Sequence, residues 1–96
     1  MTHMVFMKFE TGFLNEDVVQ RIGKAFDDLQ EALPEEILRH RVLRNCIDRD
    51  TNLDLLIELE LRGRESLAVY LHHPIHTAIG ALMNPHITER YSFDYD

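Results

Sequence analysis

The sequence has 96 residues, of which 45% are hydrophobic and 28% are charged, and its formal net charge at pH 7 is −7. A chain of this length can bury one modest core, so we expect a single domain over residues 1–96. The negative charge argues against nucleic acids and anionic membranes as partners, since both are bound through clustered Lys and Arg. No apolar run approaches the roughly 20 residues of a membrane span, and the N-terminus lacks the apolar core of a signal peptide. With Cys46 as the only cysteine, these features favour a cytoplasmic protein.

The first half of the chain predicts a strand, a helix and a second strand. His3–Phe9 is a short segment with apolar residues at both its odd-numbered and its even-numbered positions, and it predicts the first strand. Asn15 is placed to cap a helix whose first turn carries two acids, and apolar residues then recur at helical spacing until Pro34. The second strand is predicted over Leu38–Cys46, with three arginines between its apolar positions.

The second half of the chain predicts a hairpin connection, a strand, two helices and a final strand. Residues 47–52 are polar and predict the connection; their acids suggest a calcium loop, but the glycine and distal glutamate of such a loop are missing. The clearest strand pattern covers Leu53–Leu61. Short helices are predicted over Glu65–Leu71 and from Pro74 to about Met83, and Tyr91–Tyr95 alternates as the last strand.

This β-α-β-β-α-β order predicts the split β-α-β arrangement, an α+β fold in which a four-stranded antiparallel sheet carries its helices on one face. The odd-numbered residues of the first, third and last strands are the more apolar set, so we expect them to face the helices. The other face of the sheet then carries an apolar patch among arginines and glutamates, formed by Met4, Phe6, Leu43 and Leu56. Such a patch suits a partner surface better than water. We therefore expect a homodimer in which two copies pack these faces together.

The segment Tyr70–His76, Tyr-Leu-His-His-Pro-Ile-His, holds three of the six histidines. Histidine can take up or release a proton near neutral pH, and a tyrosine hydroxyl in an apolar pocket can stabilise developing negative charge on a carbonyl oxygen. Because Pro74 breaks the helix, Tyr70 and His76 can both turn towards one cavity. In a purely structural alternative, His73 caps the helix that Pro74 opens. In that case His76 bonds the backbone and Tyr70 fills the core.

A metal site is the remaining interpretation of this segment. His72 and His76 could lie one helical turn apart, but Pro74 interrupts the helix between them. No carboxylate or cysteine stands at an obvious completing position, so we expect no metal and no cofactor. Of the histidines outside the segment, His40 and His86 are expected to be exposed or at an edge.

Five segments of the sequence carry a family resemblance. They are His3–Phe9, Pro34, Asp54–Leu59, the motif Tyr70-x-x-His73-Pro74-x-His76, and Phe93–Tyr95. Through them the chain resembles the stress-responsive A/B-barrel (Dabb) family of the dimeric α+β barrel superfamily, along nearly its whole length. The resemblance implies the ferredoxin-like fold and a homodimer that closes into an α+β barrel.

The resemblance leaves two functions open. The first is a dimeric barrel whose cavity binds a small apolar or aromatic molecule, since most members are described only as stress-associated or uncharacterised. The second is a cofactor-independent lyase, cyclase or isomerase, since plant members with this motif are polyketide cyclases that close a ring by an aldol-type reaction. In that chemistry His76 would be the general base, Tyr70 would orient it or donate a hydrogen bond to the enolate, and His3 would line the same pocket. The cyclases carry a third-strand histidine at the position of Leu55, so the polar set here is smaller.

A ligand cavity between the sheet and the helices is common to both functions. Its expected lining residues are Val5, Met7, Phe26, Leu55 and His73. An enclosed cavity that holds His76 and Tyr70 within about 3–5 Å of a common point favours the enzyme, because catalytic hydrogen bonds have that reach. A cavity filled by Phe26, Met7 and Leu55 favours the binding or structural role.

Overall fold

The computed structural model describes all residues, 1–96, and contains four strands and three α-helices. The elements are β1 (Thr2–Phe9), α1 (Glu16–Ala32), β2 (Ile37–Arg44), β3 (Leu55–Leu61), α2 (Ser66–Leu71), α3 (Pro74–Met83) and β4 (Ile87–Tyr95), with a 3-10 turn at Asn84–His86. The strands form one antiparallel sheet in the order β2-β3-β1-β4. This confirms the predicted ferredoxin-like α+β fold. None of its helices combines the length and the apolar character that spanning a membrane requires.

Helix α1 forms where its capping residue and its apolar spacing agree. The side chain of Asn15 accepts a hydrogen bond from the Val18 backbone N–H at 3.0 Å, which satisfies one of the free donors of the first turn. One face of the helix is buried through Val18, Ile22, Phe26 and Leu29. The helix ends before Pro34, as predicted, because a residue that precedes proline disfavours helical backbone.

The core lies between the helices and one face of the sheet. The odd-numbered residues of β1 and β3 face the helices, as predicted: Met7, Phe9, Leu55, Ile57, Leu59 and Leu61 are each at most 5% exposed. Together with the buried face of α1 and with Tyr70, Ile79 and Met83 they form one continuous cluster.

The odd-numbered residues of strand β4 point away from the helices, whereas we expected them to face the helices. Its odd-numbered aromatic residues Tyr91, Phe93 and Tyr95 are 50–61% exposed. They lie opposite even-numbered residues of β1, as in the pair of Phe93 with Met4, so they share the face that points away from the helices. Alternation within a strand shows that two sets of residues exist, but only the pairing register decides which set faces the core. The even-numbered residues of β4 therefore face the helices.

Smaller corrections concern the strand ends. β3 begins at Leu55 instead of Leu53, although the Asp54 backbone N–H still donates to the Met7 carbonyl oxygen at 2.8 Å and its side chain accepts from the Phe9 N–H at 2.9 Å. β2 lies one or two residues closer to the N-terminus than predicted. β4 begins at Ile87, well before Tyr91.

His40 was expected to be exposed or at an edge, and it does lie on the edge strand β2, but it is not exposed. Its side chain is only 17% exposed and lies between β2 and α1, with Nε2 at 2.7 Å from an Asp27 carboxylate oxygen and Nδ1 hydrogen-bonded to Gln30. An irregularity in the β2–β3 pairing between Ile37 and Arg39 precedes it. His86 is more open, at 37% side-chain exposure, and it pairs with Glu10.

The sheet face that points away from the helices, here called the open sheet face, carries the predicted apolar patch together with aromatic residues of β4. Cross-strand pairing places Leu43 beside Leu56 and Leu56 beside Phe6, and Met4 lies on the same face. Strand β4 extends this patch with Tyr91, Phe93 and Tyr95. On the other side of the face, two arginine–glutamate pairs connect β2 and β3: Arg39 with Glu60 and Arg41 with Glu58.

Candidate ligand cavity

A cavity of about 220 Å³ lies between the helix-facing side of β1 and β4 and the helices. Its apolar wall is formed by Val5, Met7, Phe26, Ile57, Leu71 and Met83. Its polar groups are His3, Tyr70, His76, Asn84, Arg90 and Ser92. The cavity is therefore an apolar space with polar side chains drawn from β1, α2, α3 and β4.

Six of the eight predicted site residues line this cavity: His3, Val5, Met7, Phe26, Tyr70 and His76. The other two, Leu55 and His73, lie outside it. Leu55 is 2% exposed and packs in the core. His73 is the N-cap of α3, where its Nδ1 accepts a hydrogen bond from the Ile75 N–H at 3.1 Å. The structural alternative thus describes His73, and it also describes the core packing of Tyr70 and the bond of His76 to the Leu71 backbone, but Tyr70 and His76 line the cavity as well.

The break between α2 and α3 brings Tyr70 and His76 together. Tyr70 lies in the last turn of α2, and Pro74 begins α3 after the extended backbone of His73. The rings of Tyr70 and His76 meet edge to face with their centroids 4.6 Å apart. His72 is exposed, with Nδ1 at 2.9 Å from the Ala68 carbonyl oxygen. No cluster of three or more His, Cys, Asp or Glu side chains in the structure could hold a metal ion.

Tyr70 supplies a hydrogen-bond donor to the cavity. The residue is 2% exposed, and its burial raises the pKa of the phenol far above the usual value, although the positive charge of Arg90 acts in the opposite direction. The hydroxyl therefore keeps its proton at neutral pH. No protein group accepts that proton, and no enclosed side-chain polar atom is left without a partner, so the hydroxyl is open to the cavity. It can donate to a ligand oxygen.

His76 is a neutral imidazole in this environment. Burial lowers its pKa, a hydrogen bond to the Leu71 backbone opposes that effect, and the positive charge of Arg90 lowers it further. At neutral pH the ring can thus accept a proton or a hydrogen bond.

His3 is held in place by Asp94. It is 6% exposed, its Nδ1 is bonded to a carboxylate oxygen of Asp94, and its ring lies edge-on to Tyr70 with 5.9 Å between centroids. A carboxylate on one ring nitrogen fixes the orientation of an imidazole and leaves the other nitrogen for chemistry. Asp94 is a site residue that the sequence analysis missed, although it belongs to the Phe93–Tyr95 segment of the family resemblance. The assignment of β4 to the wrong face concealed it.

Arg90, Ser92 and Asn84 were missed as well. Arg90 and Ser92 reach the cavity because the even-numbered residues of β4 face the helices. Asn84 comes from the 3-10 turn after α3, and its side-chain oxygen accepts a hydrogen bond from the Arg90 guanidinium at 2.5 Å. The signal that could have found Arg90 is the alternation of polar residues with the aromatic ones in β4.

The protonation of His76 gives a direct test of this geometry. We expect NMR titration of the ring protons to give a His76 pKa below the ordinary value of about 6.5. The pKa should rise in the Arg90→Gln variant, because a nearby positive charge is removed. A His76 pKa at or above the ordinary value in the unsubstituted protein would contradict the cavity as described.

The same pKa predicts how stability depends on pH. Since the folded-state pKa lies below the unfolded-state value, the unfolded chain binds more protons between the two, and the free energy of unfolding falls as the pH drops below about 6.5. We expect chemical denaturation to show that the free energy of unfolding decreases less between pH 7 and pH 5 in His76→Gln than in the unsubstituted protein. An equal loss in both would show that His76 is not desolvated.

Solved structures with similar folds match nearly the whole chain. A dimeric ferredoxin-like protein of unknown function from Thermobifida fusca YX has a TM-score of 0.80 at 21% identity, covering 98% of this chain and 87% of that chain. One of the same description from Jannaschia sp. CCS1 has a TM-score of 0.79 at 18% identity, covering 99% and 96%. The hydroxynitrile lyase of Passiflora edulis has a TM-score of 0.76 at 15% identity, covering 98% and 89%. At these identities the likeness shows the fold alone.

Membership of a family follows from the sequence itself. No curated protein matches the chain. The family model of the stress responsive A/B barrel domain, however, matches residues 1–96, which is every residue of the sequence. The match agrees with the resemblance of the strands and of the Tyr70–His76 segment. The chain belongs to the stress responsive A/B barrel (Dabb) domain family.

Proposed function

We propose that this protein is a homodimer that binds a small, mainly apolar molecule carrying a carbonyl or hydroxyl group. The observation that carries the proposal is the free hydroxyl of Tyr70 beside neutral His76 in a cavity that also has an apolar wall. The volume of about 220 Å³ sets the ligand size. An apolar cavity of about 150 Å³ holds benzene, so one ring with a short substituent fits here. The free, exposed Cys46 is consistent with action in the reducing cytoplasm.

The apolar and the polar side chains of the cavity have different parts in binding. The apolar wall, which includes Phe26 and Met83, gains free energy by removing a ring from water, at about 25 cal/mol per Å² of apolar surface. The polar side chains set the orientation, because Tyr70 can donate to a ligand oxygen and His76 can accept from a ligand hydroxyl. A ligand without any polar atom leaves the Tyr70 hydroxyl without a partner.

The open sheet face supports the dimer. Its apolar side chains are Met4, Phe6, Leu43, Leu56, Tyr91, Phe93 and Tyr95. Phe93 is 61% exposed and Tyr91 54% in the single chain, which is a large apolar area for a soluble surface. The charged pairs of Arg39 and Arg41 with their glutamates form a polar rim at one side. The structures from Thermobifida fusca and Jannaschia are described as dimeric, which supports the same assembly here.

The dimer is tested by placing a charge on the open sheet face. We expect the protein to sediment at micromolar concentration with twice its chain mass of 11.3 kDa. Phe93→Asp should sediment as a monomer, because it buries an unpaired carboxylate in the interface. Val69→Asp is the matched control, since Val69 on α2 is 43% exposed and should leave the dimer intact. A stable monomer of the unsubstituted protein, or equal dissociation of both variants, would contradict the interface.

Ligand binding is tested with acetophenone and ethylbenzene, which differ mainly in the carbonyl oxygen. We expect acetophenone to shift the NMR signals of cavity residues. Tyr70→Phe should weaken its binding by about 2–10-fold, the effect of one neutral hydrogen bond, but should not weaken the binding of ethylbenzene, which leaves the hydroxyl without a partner. Tyr91→Phe removes a phenol hydroxyl from the open sheet face, outside the cavity. It should change the binding of neither acetophenone nor ethylbenzene. If acetophenone perturbs no cavity residue at millimolar concentration, the proposal fails.

A second candidate function is proton abstraction next to a carbonyl group, the step shared by cofactor-independent lyases, cyclases and isomerases. It is favoured by the neutral His76 beside the protonated Tyr70, and by His3 held by Asp94. In this step His76 takes the proton from the carbon, the C–H electron pair forms the C=C bond of the enolate, the carbonyl π pair moves to oxygen, and Tyr70 donates a hydrogen bond to that oxygen. Returning the proton regenerates His76. One neighbour of similar fold, at 15% identity, is a hydroxynitrile lyase.

Proton abstraction is measurable without knowing the substrate. In D₂O the protein should accelerate exchange of the acetophenone methyl protons, followed as loss of their NMR signal. His76→Ala should lower the catalysed rate by about 10²-fold or more, the usual contribution of a general base, while the dimer persists. His72→Ala in the same segment is the control. It should catalyse the exchange at the rate of the unsubstituted protein, because His72 is exposed outside the cavity. If His76→Ala and the unsubstituted protein accelerate the exchange equally, His76 is not the general base and this second candidate function is excluded.

A further inference from the structure

Arg90 differs from most other arginines of the chain in its surroundings. The sequence has 17 acidic and 10 basic residues, so carboxylates are in excess. Five arginines pair with a carboxylate: Arg21, Arg39, Arg41, Arg62 and Arg64. Arg90 has no such partner. Its guanidinium instead donates to the neutral side-chain oxygen of Asn84, at the cavity.

The cavity keeps acidic groups away from Arg90. None of its 13 lining residues is an aspartate or a glutamate. The nearby Asp94 carboxylate does not line the cavity and is bonded to His3. Glu89, which precedes Arg90 in sequence, accepts a hydrogen bond from Tyr91 and lies opposite Lys8 on the other side of the sheet. The positive charge of Arg90 thus acts on the cavity, where it affects both Tyr70 and His76.

We infer that Arg90 recognises a carboxylate of the ligand, so that the molecule bound in this cavity is a small single-ring or short-chain acid. The inference rests on the proposed binding function and narrows its ligand class. A guanidinium carries five N–H donors in a planar fork that matches the two oxygens of a carboxylate. Asn84 engages this guanidinium at the cavity and leaves other donors for the ligand. Arg90 is exposed, so it lies where a charged group can stay partly hydrated while the ring enters the apolar part.

A bound carboxylate should also be detectable at His76. The positive charge of Arg90 contributes to the lowered pKa of His76. A negative charge placed against the guanidinium offsets that contribution and favours the protonated imidazole. Binding of an acid should therefore raise the His76 pKa, whereas a neutral ligand of the same shape lacks this effect.

The test compares benzoate with benzamide, which have nearly the same shape but differ in charge. NMR titrations at low ionic strength, where exposed charges are little screened, should show benzoate binding the unsubstituted protein at least about fivefold more tightly, as expected of a charge-assisted hydrogen bond. Arg90→Gln should abolish this preference. Arg49→Gln removes an equal charge from the loop between β2 and β3, outside the cavity, and this variant should retain the preference for benzoate. Benzoate, but not benzamide, should raise the His76 pKa.

The outcomes separate this inference from the proposed function. Equal affinity for benzoate and benzamide in the unsubstituted protein, or a preference that survives Arg90→Gln, overturns the role of Arg90. If acetophenone and benzamide bind in the cavity while benzoate does not, the proposed function stands and the inference is wrong. If none of the three binds there, both are wrong.

Discussion

The pairing register of β1 with β4 is the constraint on which both surfaces of this protein depend. Phe93 lies opposite Met4, and Ser92 opposite Val5, so the aromatic residues of β4 point to the open sheet face and the polar ones to the cavity. A shift of one residue would exchange the two sets, because side chains alternate strictly along a strand. Arg90 would then lie on the open sheet face and aromatic rings would point towards the cavity. The hydrogen bonds of one strand pair thus determine both the chemistry of the cavity and the surface available for assembly.

The helix break at Pro74 is the second constraint, and its effect is electrostatic as well as geometric. It brings Tyr70 from the end of α2 against His76 from the start of α3, and packing then desolvates both rings. Desolvation disfavours whichever form is charged, so it raises the pKa of tyrosine and lowers that of histidine. Both groups are therefore neutral at physiological pH, one as a donor and the other as an acceptor. Arg90 is then the cavity group that is always charged.

The parts of the structure that could be predicted are those set by local pattern. The capped, amphipathic α1 and the alternation of β1 and β3 follow from spacing alone, and with them the order of elements and the Tyr70–His76 pair. What could not be predicted depends on pairing between distant strands. Because β4 was assigned to the wrong face, Asp94 and Arg90 were missed, and the contacts of His40 on the edge strand β2 with α1 were not predicted. Leu55, at the position where the cyclases carry a histidine, was expected to line the cavity, but the cavity lies towards the β1–β4 side of the sheet, where β3 contributes only Ile57.

Cavity and dimer are linked through β4, which is an edge strand with β1 as its only neighbour. An edge strand is held by one ladder of hydrogen bonds and is more easily displaced than a central one. In a dimer that covers the open sheet face, Phe93 and its neighbours pack on a partner and hold β4 more firmly. The polar residues that alternate with them, including Arg90, are then held more firmly as well. Assembly through one face of β4 is thus expected to order the binding residues on its other face, because both sets of side chains share one backbone.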